Sequence, residues 1–360
     1  MTTLKGVDLR RPHAGVETGS MQQEHRTAGT HVDVWQQSVG RHPPGKCSIR
    51  EMSRGRSIRL RWLLVSGLFL VPLARAATPD RPCAFSGIRR GDPLGCVGTE
   101  RTVLDRPFCV HPPSVQKPNR PVVVLLHGYS SNGNAQSRYF DLDSHVDQRG
   151  FILVKPNGTL NAQGSRYWNS GRHLSTGGPD DIGYLTAVIE DVVKTFDADP
   201  SRVFLVGHSN GAFMANRYAC ERSDRVAAIV SLAGSVDPGA CRPARPVSVL
   251  VAHGTADRIV RYGGGSFQLL PGTYSSAETT VGTWARADGC GTTRKPGKPV
   301  QLVCDASESS ISAFTACPAG IAVELWQLDG VGHVPNFALP AWPDAVLDFL
   351  YAHPKPGRVP

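Results

Sequence analysis

The chain has 360 residues, 40% of them hydrophobic and 19% charged. That balance belongs to a globular protein with a sizeable core and excludes a disordered or fibrous chain. The formal net charge of +9 is concentrated at the N-terminus. Residues 1–76 hold 12 Lys/Arg and 5 Asp/Glu, and without them 27 basic and 25 acidic residues leave a net charge of +2. A basic surface for nucleic acid is therefore not expected.

The N-terminal stretch reads as two pieces. Arg54, Arg56, Arg59 and Arg61 precede an apolar run at 62–73, and Ala74-Arg75-Ala76 follows it. This is the basic region, apolar region and small-residue cleavage site of a secretory signal peptide. The run is too short to span a bilayer, so no stable membrane anchor is expected after cleavage. Residues 1–51 are polar and aperiodic, and they read as a non-native upstream extension with Met52 as the initiator. The expected organisation is thus 1–51 extension, 52–76 signal peptide and 77–360 one catalytic domain, secreted or periplasmic. Eight of the nine cysteines follow residue 76. An even number in an oxidising compartment points to disulfides, and with no C-x-x-C pair no metal site is expected.

From residue 77 the pattern alternates between strand and helix. Short candidates at 97–103 and 107–111 read as antiparallel edge strands. The run 121–126 is a central strand, followed by His127-Gly128-Tyr129 and a helical stretch to about residue 148. Residues 151–154 form the next strand, and a polar loop runs on through Trp168. Over 181–196, Ile182, Leu185, Val188, Ile189, Val192, Val193 and Phe196 share one helix face, with Asp180 or Asp181 as cap. Further strands are read at 203–206, 227–232, 247–252 and 323–328, and helices at 212–220, 275–287 and 341–352. This alternation predicts an α/β fold, a mostly parallel sheet covered by helices on both faces.

The chemistry centres on Gly207-His208-Ser209-Asn210-Gly211, between an apolar strand and a helix. A G-x-S-x-G turn in that setting is a nucleophile elbow, which lifts a serine hydroxyl above the carboxyl edge of the sheet. Ser209 is the expected nucleophile. It needs a histidine base held by an acid, and in this fold the chain order is Ser, acid, His. Of His253, His333 and His353, His333 follows the last strand in Gly330-Val331-Gly332-His333 and is the expected base. His253 reads as a packed or hydrogen-bonded residue, and His353 lies among tail prolines. Asp257, just past the strand 247–252, is the expected acid, with Asp237 as its competitor. The backbone N–H groups of Asn210 and Tyr129 are the expected oxyanion donors, and Trp168 is expected to line the substrate pocket.

Several of these segments resemble the polyhydroxybutyrate depolymerase-like esterases. They are Leu125-Leu126-His127-Gly128-Tyr129, Lys155-Pro156-Asn157-Gly158-Thr159, Tyr167-Trp168-Asn169, Asp180-Asp181-Ile182-Gly183-Tyr184-Leu185, the elbow, His253-Gly254-Thr255-Ala256-Asp257 and Gly332-His333-Val334-Pro335. The resemblance spans about residues 97–356, in a group neighbouring the feruloyl and acetylxylan esterases of carbohydrate esterase family 1. It implies the α/β-hydrolase fold, the triad Ser209, Asp257 and His333, and ester hydrolysis without a cofactor. It also implies bridges Cys220–Cys241 and Cys290–Cys317, with Cys83, Cys96, Cys109 and Cys304 open. Where many relatives have a cysteine pair after Trp-Asn, Ser170-Gly171-Arg172-His173 stands here. No substrate-binding module is read after the domain, so hydroxyalkanoate oligomers or similar esters are expected over crystalline polymer. The alternatives are a feruloyl or acetylxylan esterase acting on acylated carbohydrate, a serine peptidase of the same fold, and a non-catalytic binding module.

Overall fold

A computed structural model of the protein describes residue 83 and residues 95–171, 178–266, 272–304 and 309–355. The expected extension 1–51, the expected signal peptide 52–76 and Arg172-His173 lie outside the described residues. The elements begin with β1 (Thr99–Val103), β2 (Arg106–His111), β3 (Val122–Leu126), α1 (Gly133–Phe140), α2 (Val146–Arg149) and β4 (Ile152–Pro156). A ribbon of β5 (Thr159–Leu160) and β6 (Arg166–Tyr167) leads to α3 (Asp181–Thr195), β7 (Val203–His208) and α4 (Asn210–Glu221). Then come β8 (Ala228–Leu232), β9 (Ser248–Gly254), a second ribbon of β10 (Gly265–Ser266) and β11 (Thr273–Tyr274), and α5 (Ala277–Ala287). Last are β12 (Arg294–Pro296), β13 (Ser310–Phe314), β14 (Val323–Leu328) and α6 (Ala341–Ala352).

One sheet takes ten strands in the order β1-β2-β4-β3-β7-β8-β9-β14-β13-β12. The six middle strands, β4 through β14, are parallel, and an antiparallel pair borders each side. Successive strand side chains point to opposite faces, so the continuous apolar runs feed two cores at once. Val122, Val124, Leu126, Val203 and Leu205 meet α3, α4 and α5 through Leu185, Val188, Met214, Tyr218 and Trp284. Val123, Leu125, Phe204 and Val206 meet α1 and α6 through Phe140, Trp342, Val346 and Leu350. The expected α/β-hydrolase architecture is therefore present, with its crossover helices on both faces.

Four disulfides staple this frame. Cys220–Cys241 and Cys290–Cys317 are the two that the resemblance implied. The open set pairs as Cys96–Cys109, beside the first hairpin, and Cys83–Cys304, which closes 221 residues. Such cross-links act mainly by restricting the unfolded chain, and more so for longer loops.

One core carboxyl stands out energetically. Asp288 caps the C-terminus of α5 and is buried. One oxygen accepts from the Val247 amide at 3.0 Å, while the other has no partner among the described residues. Burial pushes its pKa up to about 7, against the smaller opposing effect of that amide. Unfolded, the group titrates near about 3.9. Its stabilising contribution is then complete below that value and is lost as pH rises through about 7. Asp288→Asn should keep the Val247 contact and remove this loss. The stability advantage of the variant should widen by about 1.4 kcal/mol per pH unit from about pH 5 towards about pH 7, read by urea unfolding. Parallel stability curves for the two proteins would contradict the effect.

Candidate active site

The elbow is built by backbone contact. A Cβ on Gly207 would lie 2.3 Å from the Gly211 carbonyl oxygen, and one on Gly211 would lie 2.2 Å from that of Leu126. No other residue fits where β7, β3 and the start of α4 touch. The tight turn forces Ser209 to φ 53° and ψ −122°, a conformation that L-residues rarely hold and that marks functional turns.

The structure brings Ser209, His333 and Asp257 together although 124 and 76 residues separate the pairs. His333 Nε2 is 2.9 Å from Ser209 Oγ, and His333 Nδ1 is 2.7 Å from Asp257 Oδ2. Burial raises the Asp257 pKa, but the hydrogen bonds from His253 and His333, the charge of His333 and the Ile259 amide outweigh it. The carboxyl is held well below the usual carboxylate range. Its Oδ1 accepts from the Ile259 and Val260 amides at 2.8 and 3.0 Å. An ionised carboxylate only accepts, so the neutral imidazole carries its proton on Nδ1 and turns the Nε2 lone pair to the serine hydroxyl. The loops bearing acid and base are laced together by Ala256 N–H to Val331 and Thr255 N–H to Leu328.

The competing residues lie in other roles. Asp237 accepts from the Gly239 amide in a turn at 2.9 Å. His353 contacts the Phe349 carbonyl at the end of α6. His253 is buried, donating from Nε2 to the Val260 carbonyl at 2.7 Å with Asp257 Oδ2 3.4 Å away.

Beside the elbow lies the loop 127–129. A Cβ on Gly128 would sit 3.5 Å from that of Ser209. The Tyr129 and Asn210 amides have no acceptor among the described residues, so both are free to bind an oxygen there. His127 fixes this loop. Its Nδ1 donates to the Gly128 carbonyl at 2.7 Å and its Nε2 accepts from the Gly158 amide at 3.0 Å. Burial lowers its pKa to about 4, which keeps it in that neutral form.

Trp168 requires a correction. It is 0% exposed, so its ring offers no surface to a substrate. Its indole N–H donates to the His127 carbonyl at 3.0 Å, and its backbone pairs with the side chain of Asn210. Trp168 N–H donates to Asn210 Oδ1 at 2.7 Å, and Asn210 Nδ2 donates to the Trp168 carbonyl and to Ser170 Oγ at 3.0 Å each. Asp181 holds the next residue, accepting from the Asn169 amide at 2.7 Å and from Arg106 at 2.8 Å. Asp180, not Asp181, caps α3 by accepting from Gly183. Indole packing and an inward Asp give no periodic signal, which is why the sequence pattern alone does not separate them from pocket and cap.

A family model described as the alpha/beta hydrolase family matches residues 123–348. The chain belongs to that family. Feruloyl esterase B of Piromyces equi is 29% identical over 201 residues, covering 54% of this chain and 35% of that protein. The bifunctional acetylxylan esterase/xylanase XynS20E of Neocallimastix patriciarum is 25% identical over 233 residues, covering 65% and 31%. This alpha/beta hydrolase thus spans about a third of the length of those two relatives. The solved acetyl xylan esterase from Aspergillus awamori shares the fold, with a TM-score of 0.51 at 16% identity over 71% of this chain and 100% of that one.

The Asn210 side chain is the main tie between elbow and Trp168 loop. Asn210→Ala leaves the Trp168 backbone groups without their partner and should lower the unfolding free energy by about 1–3 kcal/mol. Urea denaturation followed by tryptophan fluorescence reads this, and an unchanged midpoint would remove the tie.

Proposed function

We propose that this alpha/beta hydrolase is a secreted serine esterase that cleaves carboxylic esters on acylated plant cell-wall polysaccharide, of the feruloyl or acetyl xylan type. The observation that carries the reading is the continuous relay Ser209–His333–Asp257, with 2.9 and 2.7 Å contacts. In the first step His333 Nε2 takes the Ser209 proton as Oγ attacks the ester carbonyl carbon. The Tyr129 and Asn210 amides hold the resulting oxyanion. His333 then returns the proton to the leaving alcohol oxygen, and the acyl group stays on Ser209. Water, deprotonated by His333, attacks that acyl-enzyme and frees the acid, while Asp257 stabilises the imidazolium of each step.

The two curated relatives weigh the substrate towards acylated xylan over the hydroxyalkanoate oligomers first expected. Apolar side chains support an aromatic acyl arm. Tyr129 follows the glycine beside Ser209, Val334 follows His333, Ile259 lies two residues past Asp257, and all three are exposed. The four disulfides agree with an oxidising compartment.

Ser209→Ala should abolish p-nitrophenyl ester hydrolysis with the fold retained, and Asp257→Asn should cut kcat by about 10⁴-fold. Activity near the native rate in either variant rejects the assignment. Product release compared across methyl ferulate, acetylated xylan and hydroxybutyrate oligomers decides the substrate. Turnover confined to the oligomers would overturn the polysaccharide reading.

A further inference from the structure

The loop that carries His333 is tied at its start, where Gly330 N–H donates to Thr255 Oγ1 at 2.8 Å and Val331 accepts from Ala256 N–H, and it is tied again past the histidine. Gly330 has φ +72°, and neither it nor Gly332 has any atom within 4 Å of where a Cβ would stand. Past His333 the chain is fastened. The Asn336 carbonyl accepts from Cys304 N–H at 2.8 Å and Ala338 N–H donates to Leu302. Between these arms two buried side chains reach in from the opposite side. His208 Nε2 lies 3.0 Å from the carbonyl oxygen of His333 itself, and Tyr139 Oη lies 2.8 Å from that of Pro335.

A carbonyl oxygen only accepts, so His208 carries its proton on Nε2 and Tyr139 donates its hydroxyl. Both groups keep that state. Burial first, then the neighbouring His333, lowers the His208 pKa to about 3, and burial raises that of Tyr139 well above 10. The two rings lie 5.7 Å apart, and that of His208 is 5.1 Å from that of His333. Phe337 backs Tyr139 at 5.5 Å and stacks on Trp342 of α6 at 3.8 Å. The clamp is thus seated in the core and not on a mobile surface.

We propose that His208, aided by Tyr139 of α1, which binds the loop two residues further on at Pro335, is a positioning residue that holds the His333 imidazole on Ser209 through the backbone of His333. The inference rests on the esterase reading above. His208 is the last residue of β7, directly before the nucleophile, so one rigid strand end sets both Ser209 and the height of its base. A neutral imidazole supplies the donor without placing a second positive charge beside the imidazolium that forms on His333. Misplacement of a reacting group by about 1 Å can cost about 100-fold in rate. Bonds this close to the relay are therefore expected to act on kcat.

The test compares His208→Phe, His208→Gln and Tyr139→Phe with Ser209→Ala on a p-nitrophenyl ester, with kcat, KM and Tm measured for each. Phenylalanine keeps the ring without the donor, whereas the glutamine amide can present an N–H near the Nε2 position. His208→Phe should lose about 10- to 100-fold in kcat with KM within about twofold, and His208→Gln should recover most of that loss. Tyr139→Phe should lose several-fold in kcat alone. If Ser209→Ala is inactive and His208→Phe keeps native kcat, or His208→Gln is no better than His208→Phe, the clamp is rejected while the esterase reading stands. Where His208→Phe does not fold, Tyr139→Phe decides: a several-fold loss of kcat at unchanged KM upholds the clamp, and native kcat rejects it. Full activity in Ser209→Ala would reject both readings.

Discussion

The fold depends on one close approach of backbones. At Gly207, Gly211 and Leu126, β7, β3 and the first turn of α4 come nearer than any side chain allows. That contact fixes where the chain reverses after β7 and holds Ser209 at its unfavourable φ. The strain is borne by the two packed cores on either side of the sheet, which leave the turn no room to relax. The residues of the proposed mechanism are placed relative to this point. Asp257 arrives from the end of β9, His333 from the loop after β14, and the Tyr129 and Asn210 amides from the loop after β3 and from α4 itself.

The histidines around the elbow divide the work by protonation. His127 and His208 are driven neutral by burial and serve as fixed hydrogen-bonding joints, one for the loop 127–129 and one for the loop of His333. His333 is the one paired with an ionised carboxylate and a hydroxyl. The same side chain thus serves as a fixed joint where burial holds it neutral and, in the proposed mechanism, as the base where it faces Asp257.

Much of this was legible in the residues. Apolar runs within β3, β7, β8 and β9 announce strands buried on both faces, and six apolar positions of α3, with Phe196 at its C-cap, fall on one helical face. The glycine-flanked serine, and an Asp and a His following later strands, point to the three loops that converge. What escaped has physical reasons. β12 (Arg-Lys-Pro) is exposed along its length and carries no apolar side chain but proline's, and β13 (Ser-Ile-Ser-Ala-Phe) alternates over only four residues with none fully buried, too short a run to stand out as a strand. Trp168 looks the same in sequence whether it faces ligand or core, and only its buried indole contact to His127 separates the two. His208 was visible inside the G-x-S-x-G turn, yet its partner is a backbone carbonyl 125 residues away, and a carbonyl leaves no mark on a sequence.

The Cys83–Cys304 bridge has a reach beyond the ends it joins. Cys83 pairs by backbone with Ala338, Val303 pairs with Phe337, and Cys304 N–H holds the Asn336 carbonyl. The far arm of the His333 loop is therefore sewn to a covalent knot that forms only where thiols oxidise. In the secreted esterase proposed above, the oxidation that closes this knot would also complete the fastening of the loop that carries His333.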